Sequence, residues 1–382
     1  MFATHPIKEL LERWGAELPG SRWYVVGGAV RDEQLGRLLQ DIDVLVAGVA
    51  FDDVMAFLEA RGSVDAVGRT FGVLKFVSGE DGQALDIALP RRERPAGTGG
   101  YRDVETDSDP SLPIEEDLGR RDFTVNAMAW EAATDRVIDP HGGEADLKKR
   151  VLRAVGNPDT RFAEDYTRIL RMLRFAAQLN FEIEWETWRA ALLAVPRLND
   201  ERDGQRLVPF ELAAREVLKG FASDPVRMAE LWQESGVTAV LMPELTEWPE
   251  HVRAALERLT QEDIQRIVGD GIVPTRLIFA LSVAHRGADN AAALTRRLRL
   301  SSAGVGVDDA LVQRIVLGGD VALYKELGLK PWLEGETVMR ILNLSAGPDV
   351  GRALDLLIDA QAKGKLSDPS QAEDWLRTHW NA

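Results

Sequence analysis

Hydrophobic and polar positions change rhythm near residue 150. Before it, short apolar runs at 23–26, 42–46, 73–77, 85–89, 127–130 and 136–138 have the length and turn-rich flanks of strands. Residues 1–22 read as an amphipathic helix and a lead-in, stopped by Pro19-Gly20. Val54, Phe57 and Leu58 give 51–61 helical spacing. The stretch 91–111, rich in Gly, Pro and charge, reads as a mobile loop of the kind that serves as a lid. After Val151 neither strand-like alternation nor a short repeat is evident. Helical pieces are predicted at 161–179, 185–195, 206–220 and 224–235. More follow between 249 and 327, and then at 335–343, 347–363 and 370–379. Pro225, Pro243, Pro274, Pro331, Pro348 and Pro369 stand near their ends. The pattern predicts an α+β protein: a mixed-sheet head (1–150), then a helical neck (151–220), body (221–300) and tail (301–382).

The most informative stretch is Trp23 to Val46. A strand ends in Gly27-Gly28, a helix-compatible segment carries Arg31 and Asp32, and a second strand carries Asp41 and Asp43. Paired glycines let the backbone approach a ligand, and the N–H groups opening the next helix point at it. A guanidinium at Arg31 offers a fork of donors to the same phosphates. Asp41 and Asp43, two apart on a strand, project from one face. Carboxylates there suit hard divalent ions in a displacement at phosphorus.

These residues resemble the head of the class II tRNA nucleotidyltransferases, which comprise bacterial CCA-adding enzymes and poly(A) polymerases. Gly27, Gly28, Arg31, Asp32, Asp41 and Asp43 match that family's first motif. The resemblance implies a polymerase β-like nucleotidyltransferase head, two Mg²⁺ ions on Asp41 and Asp43, and a triphosphate cradled by Gly27, Gly28 and Arg31. Asp86, on a strand suited to lie beside the D-x-D strand, is similar to the family's third carboxylate. Arg120, Arg121, Asp122, Phe123, Thr124, Asn126 and Ala127 match the R-R-D-F-T-x-N-A motif, with Arg121 at a nucleotide-contacting position and Asp122 and Asn126 shaping the site.

Over 161–181, Asp165, Arg168, Arg171 and Arg174 recur every three residues, a stripe on one side of the predicted helix. Ile169, Leu170, Leu173 and Ala177 occupy the other side. The basic members are all Arg, which favours planar, multi-donor recognition. Glu164, Asp165 and Arg168 match the family's E-D-x-x-R motif. By that resemblance Asp165 and Arg168 read the base edge of CTP or ATP, and Arg171 and Arg174 support base or phosphate contacts. Tyr166-Thr167 stands where many relatives have Pro-Leu.

Composition changes this picture only at its edges. With 382 residues, 45% hydrophobic and 28% charged, the chain reads as globular and multidomain. No run is long enough for a membrane span, and the absence of cysteine excludes disulfides and thiolate metal sites. A cytoplasmic protein is expected, and nothing calls for a protein partner. A net charge of −16 repels RNA at long range, so a tRNA partner requires a basic cleft and strong salt dependence. The five histidines do not form an appended metal phosphohydrolase signature. The expected reaction is addition of CCA to tRNA from CTP and ATP. Partial CC or A addition and poly(A) synthesis are alternatives within the class; a catalytically dead RNA-binding protein is one outside it, and a small-molecule nucleotidyltransferase would not need the Asp165–Arg174 stripe or the long helical half.

Overall fold

A computed structural model describes residues 2, 5–39, 41–66, 72–80, 82–101, 103–243, 331–362, 365–366 and 369–380. The helices expected between 249 and 327, and the body–tail boundary at 300, lie outside the described residues. The chain forms two compact units, Met1–Arg197 and Leu198–Ala382, so the expected boundary at 150 falls inside the first.

The first unit is built on seven strands: β1 (Arg22–Val26), β2 (Asp43–Ala47), β3 (Gly62–Ala66), β4 (Val73–Ser78), β5 (Ala84–Ala88), β8 (Ala129–Glu131) and β9 (Arg136–Ile138). Their spatial order is β3-β4-β5-β2-β1-β8-β9, with β2 and β5 parallel and the other neighbours antiparallel. Helices α1 (Pro6–Glu17) and α3 (Phe51–Glu59) supply Trp14 and Phe57, which pack with Trp23 and Phe76 into an aromatic cluster on one face. On the other face Tyr24, Val26 and Leu45 meet Ile114 and Leu118 of α4 (Ile114–Gly119). That cover is partial. Strands β4 and β5 alternate between buried and exposed positions, leaving one face open beyond α4.

Three expectations need correction. The stretch 91–111 is not a bare loop: β6 (Arg91–Pro95) and β7 (Val104–Ser108) pair as an antiparallel hairpin. Backbone pairing needs no apolar alternation, and Glu93 ties the hairpin to Arg120 at 2.6 Å. The strand expected at 127–130 starts at Ala129, because residues 124–126 form a 3₁₀ turn held by Thr124 Oγ1 donating to Asp146 at 2.8 Å. The helix expected over 161–179 is two helices, α6 (Pro158–Glu164) and α7 (Thr167–Leu179), which follow α5 (Gly143–Lys149). Asp165 breaks it in an extended conformation, its carboxylate accepting from Thr167 N (2.8 Å) and Oγ1 (2.6 Å) and so capping the new helix. The region after 151 also contains two-residue strand pairs: β10 (Val151–Leu152) with β11 (Glu182–Ile183), and β12 (Glu201–Arg202) with β13 (Gln205–Arg206). Helix α8 (Trp185–Ala194) completes the first unit's helices.

In the second unit α9 (Phe210–Ser223) and α10 (Pro225–Glu234) are joined at Asp224, whose side chain accepts from Arg227 N. The short α11 (Val237–Leu241) follows. Nearer the C-terminus α12 (Gly335–Leu342), α13 (Pro348–Ala362) and α14 (Ala372–His379) bury Val338, Leu357 and Leu376 together. Arg352 bonds Asp349 of its own first turn.

Candidate active site

The open face of the sheet carries the carboxylates. Asp43 opens β2 and lies in register with Asp86 on the parallel strand β5. Both are exposed, as is Asp41 just before the strand. None of the three makes a hydrogen bond or ion pair with the described residues. The recess around Asp43 strips some of its hydration and raises its pKa above the usual 3.8. The Arg121 charge opposes that rise, and neighbouring Asp86 and Asp41 add to it. Among the described residues no three acidic or histidine side chains close into a ready metal cage. Mg²⁺ does not require one, since it is commonly held by one or two carboxylates together with substrate phosphates. Unpaired hard-oxygen donors on adjacent strand ends fit such an ion.

Beside them Gly27, at φ 70°, ends β1 and precedes α2 (Gly28–Gln34). A Cβ there would lie within 2.4 Å of an Arg121 Nη atom, so the glycine both adopts a left-handed φ and admits the guanidinium. Arg121 is steered by Asp117, fully buried on α4, whose carboxylate accepts from both Arg120 (2.7 Å) and Arg121 (3.1 Å). Burial would raise the Asp117 pKa, but the two guanidinium charges and their hydrogen bonds hold it below the usual carboxylate value. Sequence reasoning did not single out Asp117. Its spacing of three and four from the arginine pair, across the end of α4, was the available signal.

Arg31 is placed otherwise than expected. It is 4% exposed, forks onto Asp32 (2.9 and 2.8 Å) and donates to Asn126 Oδ1 at 2.5 Å. Asn126 donates in turn to Asp122 (3.1 Å), and Asp122 receives Arg171 from α7 at 2.7 and 2.6 Å. A buried polar chain thus runs from α2 through the R-R-D-F-T-x-N-A segment to α7. Phe175, also missed from sequence, sits among three guanidiniums: Arg174 at 3.9 Å, Arg31 at 5.2 Å and Arg171 at 5.3 Å from its ring centre.

The E-D-x-x-R residues meet at the α6–α7 break. Arg168 Nη1 donates to Glu164 (2.6 Å) and the Arg161 carbonyl (3.0 Å), and Nη2 donates to the Arg120 carbonyl (3.0 Å). Three of its five N–H donors are used, which leaves two for a ligand. Burial raises the Asp165 pKa, against hydrogen bonds from Thr167 and the Arg168 charge. Arg174 is buried and bonds Gln178 at 2.9 Å. The break turns the expected continuous stripe into two sets: Asp165 with Arg168 at the junction, and Arg171 with Arg174 around Phe175. Tyr166, at the junction, donates its backbone N–H to Gly99 of the β6–β7 turn at 3.0 Å.

Residues 23–153 match the family described as the poly A polymerase head domain. A multifunctional CCA protein of Paracidovorax citrulli is 40% identical over 227 residues, covering 58% of this chain and 50% of that protein. One from Pseudomonas aeruginosa is 40% identical over 226 residues, covering 58% and 50%. The chain therefore spans about half the length of the curated relatives it matches. Among solved structures, a Thermotoga maritima CCA-adding enzyme complexed with tRNA superposes with a TM-score of 0.59 at 22% identity, covering 97% of this chain and 94% of that one. A Bacillus stearothermophilus CCA-adding enzyme in complex with CTP gives 0.52 at 22% identity, covering 97% and 95%. At that identity the likeness concerns the fold. It agrees with the expected sheet-based head followed by helices.

Proposed function

We propose, from the premise that residues 23–153 belong to the poly A polymerase head-domain family, that this chain is a template-independent tRNA nucleotidyltransferase adding CCA from CTP and ATP. The observation that carries the reading is the pair Asp43 and Asp86, in register and without an ion pair among the described residues, beside a guanidinium laid on Gly27. In this reading Asp41 and Asp43 hold divalent metal, two Mg²⁺ ions, with Asp86 assisting. When bound, such ions lower the pKa of an attacking hydroxyl and neutralise a leaving pyrophosphate. Gly27, Gly28 and Arg121 receive the triphosphate. Arg31, enclosed and bonded to Asp32 and Asn126, acts by fixing the helix that follows the cradle.

Asp165 and the two remaining donors of Arg168 read the base. Cytosine presents an N4 donor beside an N3 acceptor, and adenine an N6 donor beside N1, so one carboxylate and one guanidinium satisfy either. Arg171 ties α7 to Asp122 of the head, and Arg174 stands beside it over Phe175. Relatives of matching sequence are named multifunctional CCA proteins, and a similarly folded enzyme is described in complex with tRNA; both support tRNA as acceptor. Among the described residues no helix is long and apolar enough to cross a membrane.

The family's description also keeps poly(A) synthesis in view. Purified protein with Mg²⁺ would be given one tRNA transcript ending at the discriminator base, at CC or at CCA, with CTP, ATP or both, and products sized to one nucleotide. Growth to CCA that then stops is the expected result. Stopping at CC, or adding A only to the CC end, would make it a partial enzyme. Unlimited A would make it a poly(A) polymerase, and no extension would overturn enzymatic activity on RNA.

A further inference from the structure

We infer that Lys75 binds the acceptor strand, pairing with the phosphodiester next to its terminal nucleotide; this rests on the nucleotidyltransferase reading above. Lys75 lies on β4 directly opposite Asp86 of β5, and Asp86 is in turn the partner of Asp43 on β2. Side chains paired across neighbouring strands share a face, so Asp43, Asp86 and Lys75 form one lateral row. All three are exposed. Lys75 is flanked on its other side by Asp65 of β3, also in register. Even so, Lys75 forms no ion pair or hydrogen bond with the described residues.

Direction across the sheet supplies the rest. Gly27 and Arg121, which receive the triphosphate, stand at the end of β1, on the β2 side opposite to β5. Displacement at phosphorus places the attacking and leaving oxygens roughly in line. With the leaving pyrophosphate over β1, the attacking 3′-hydroxyl arrives over β5, and the strand behind it crosses β4. Successive strands are about 4.8 Å apart, so Lys75 sits one strand beyond Asp86, where a polyanion bearing that hydroxyl must pass. A flexible ammonium placed there contacts phosphate as a point charge and reads no base. It also offsets the repulsion of RNA by the Asp65, Asp86 and Asp43 carboxylates.

The test uses the full-length protein and a tRNA transcript ending at the discriminator base, with KM measured separately for RNA and for CTP. Lys75→Glu is expected to raise the RNA KM about tenfold, to lower the log–log salt slope of RNA binding by about 0.7–1, and to keep the CTP KM within about twofold. Lys75→Arg, which keeps the charge, is expected to restore the RNA KM. If Lys75→Glu does not fold, as judged by thermal melting, Lys75→Gln is read in its place. An RNA KM within twofold of wild type, or an equal rise in both KM values, would overturn the role of Lys75 while leaving the enzyme reading intact. Failure of the wild-type protein to extend any RNA would instead remove the enzyme reading, and the role of Lys75 with it.

Discussion

Asp43 and Asp122 are both aspartates in motifs of the same head, and the fold treats them in opposite ways. Asp43 stands exposed at a strand end, without a hydrogen bond to the described residues, its pKa pushed up by the recess around it and by its acidic neighbours. Asp122 is buried, and burial by itself would raise its pKa. The Arg171 charge, with hydrogen bonds from Asn126, Arg171 and the Phe123 amide, instead brings it down to about 2. A carboxylate kept charged and unsatisfied has its binding capacity in reserve for a ligand. A carboxylate saturated by protein donors holds the architecture. On this criterion Asp41, Asp86 and Lys75 group with Asp43, and Arg31, Asn126 and Arg171 with Asp122.

The largest expected effect comes from Asp43→Asn. The change keeps the side-chain shape and removes a charge that makes no ion pair or hydrogen bond with the described residues. We expect nucleotide incorporation to fall by about 10³-fold or more, as when a metal ligand is lost, with thermal melting close to that of wild type. Single-turnover extension of tRNA with CTP, paired with a melting curve, measures both. Near-normal turnover would remove Asp43 from the ligand set, and a collapsed melting curve would place it with the scaffold.

Asp122→Asn should behave in the reverse manner. A carboxylate whose pKa falls from 3.8 to about 2 on folding contributes about 2 kcal/mol when ionised. The amide cannot supply that charge to Arg171. Urea unfolding should show a loss near this size, accompanied by faster hydrogen exchange in α7, because Arg171 is that helix's ionic tether to the segment. Unchanged exchange in α7 would break the assignment of this network as the link between head and helix.

The same division explains what could be read from the sequence. Gly27-Gly28, Asp41-x-Asp43 and the alternation around Asp86 are local patterns, and an exposed carboxylate needs no partner elsewhere in the chain to be singled out. Six of the head's seven strands, and the helices after them, were legible for a similar reason, since period and run length are local; β3 (Gly62–Ala66), which has no apolar run, was not. The network was not. Arg31 finds Asn126 across 95 residues and Asp122 finds Arg171 across 49, so a residue that reads as a phosphate donor from its helix position proved to be enclosed. The break at Asp165 depends on a two-residue side-chain cap that outcompetes helical continuation. The β6–β7 hairpin depends on backbone pairing that a charged, Gly- and Pro-containing sequence does not announce.

The smallest effect sharpens the comparison through pH. Because the folded pKa of Asp122 lies below its unfolded value, its stabilisation is fully present above about pH 4 and is lost as pH falls towards about 2. The stability gap between wild type and Asp122→Asn should therefore be constant from neutral pH to about pH 5, narrow below pH 4, and close below about pH 2. Below that point the wild-type carboxyl is itself protonated and as neutral as the amide. Parallel urea titrations of the two proteins across that range test it. Other carboxylates titrate alike in both proteins and cancel in the difference, so the closing gap reports Asp122 alone. A gap that persisted undiminished at pH 2 would mean that the variant loses geometry rather than charge, and that Asn126 and the Phe123 amide, more than Arg171, hold the segment in place.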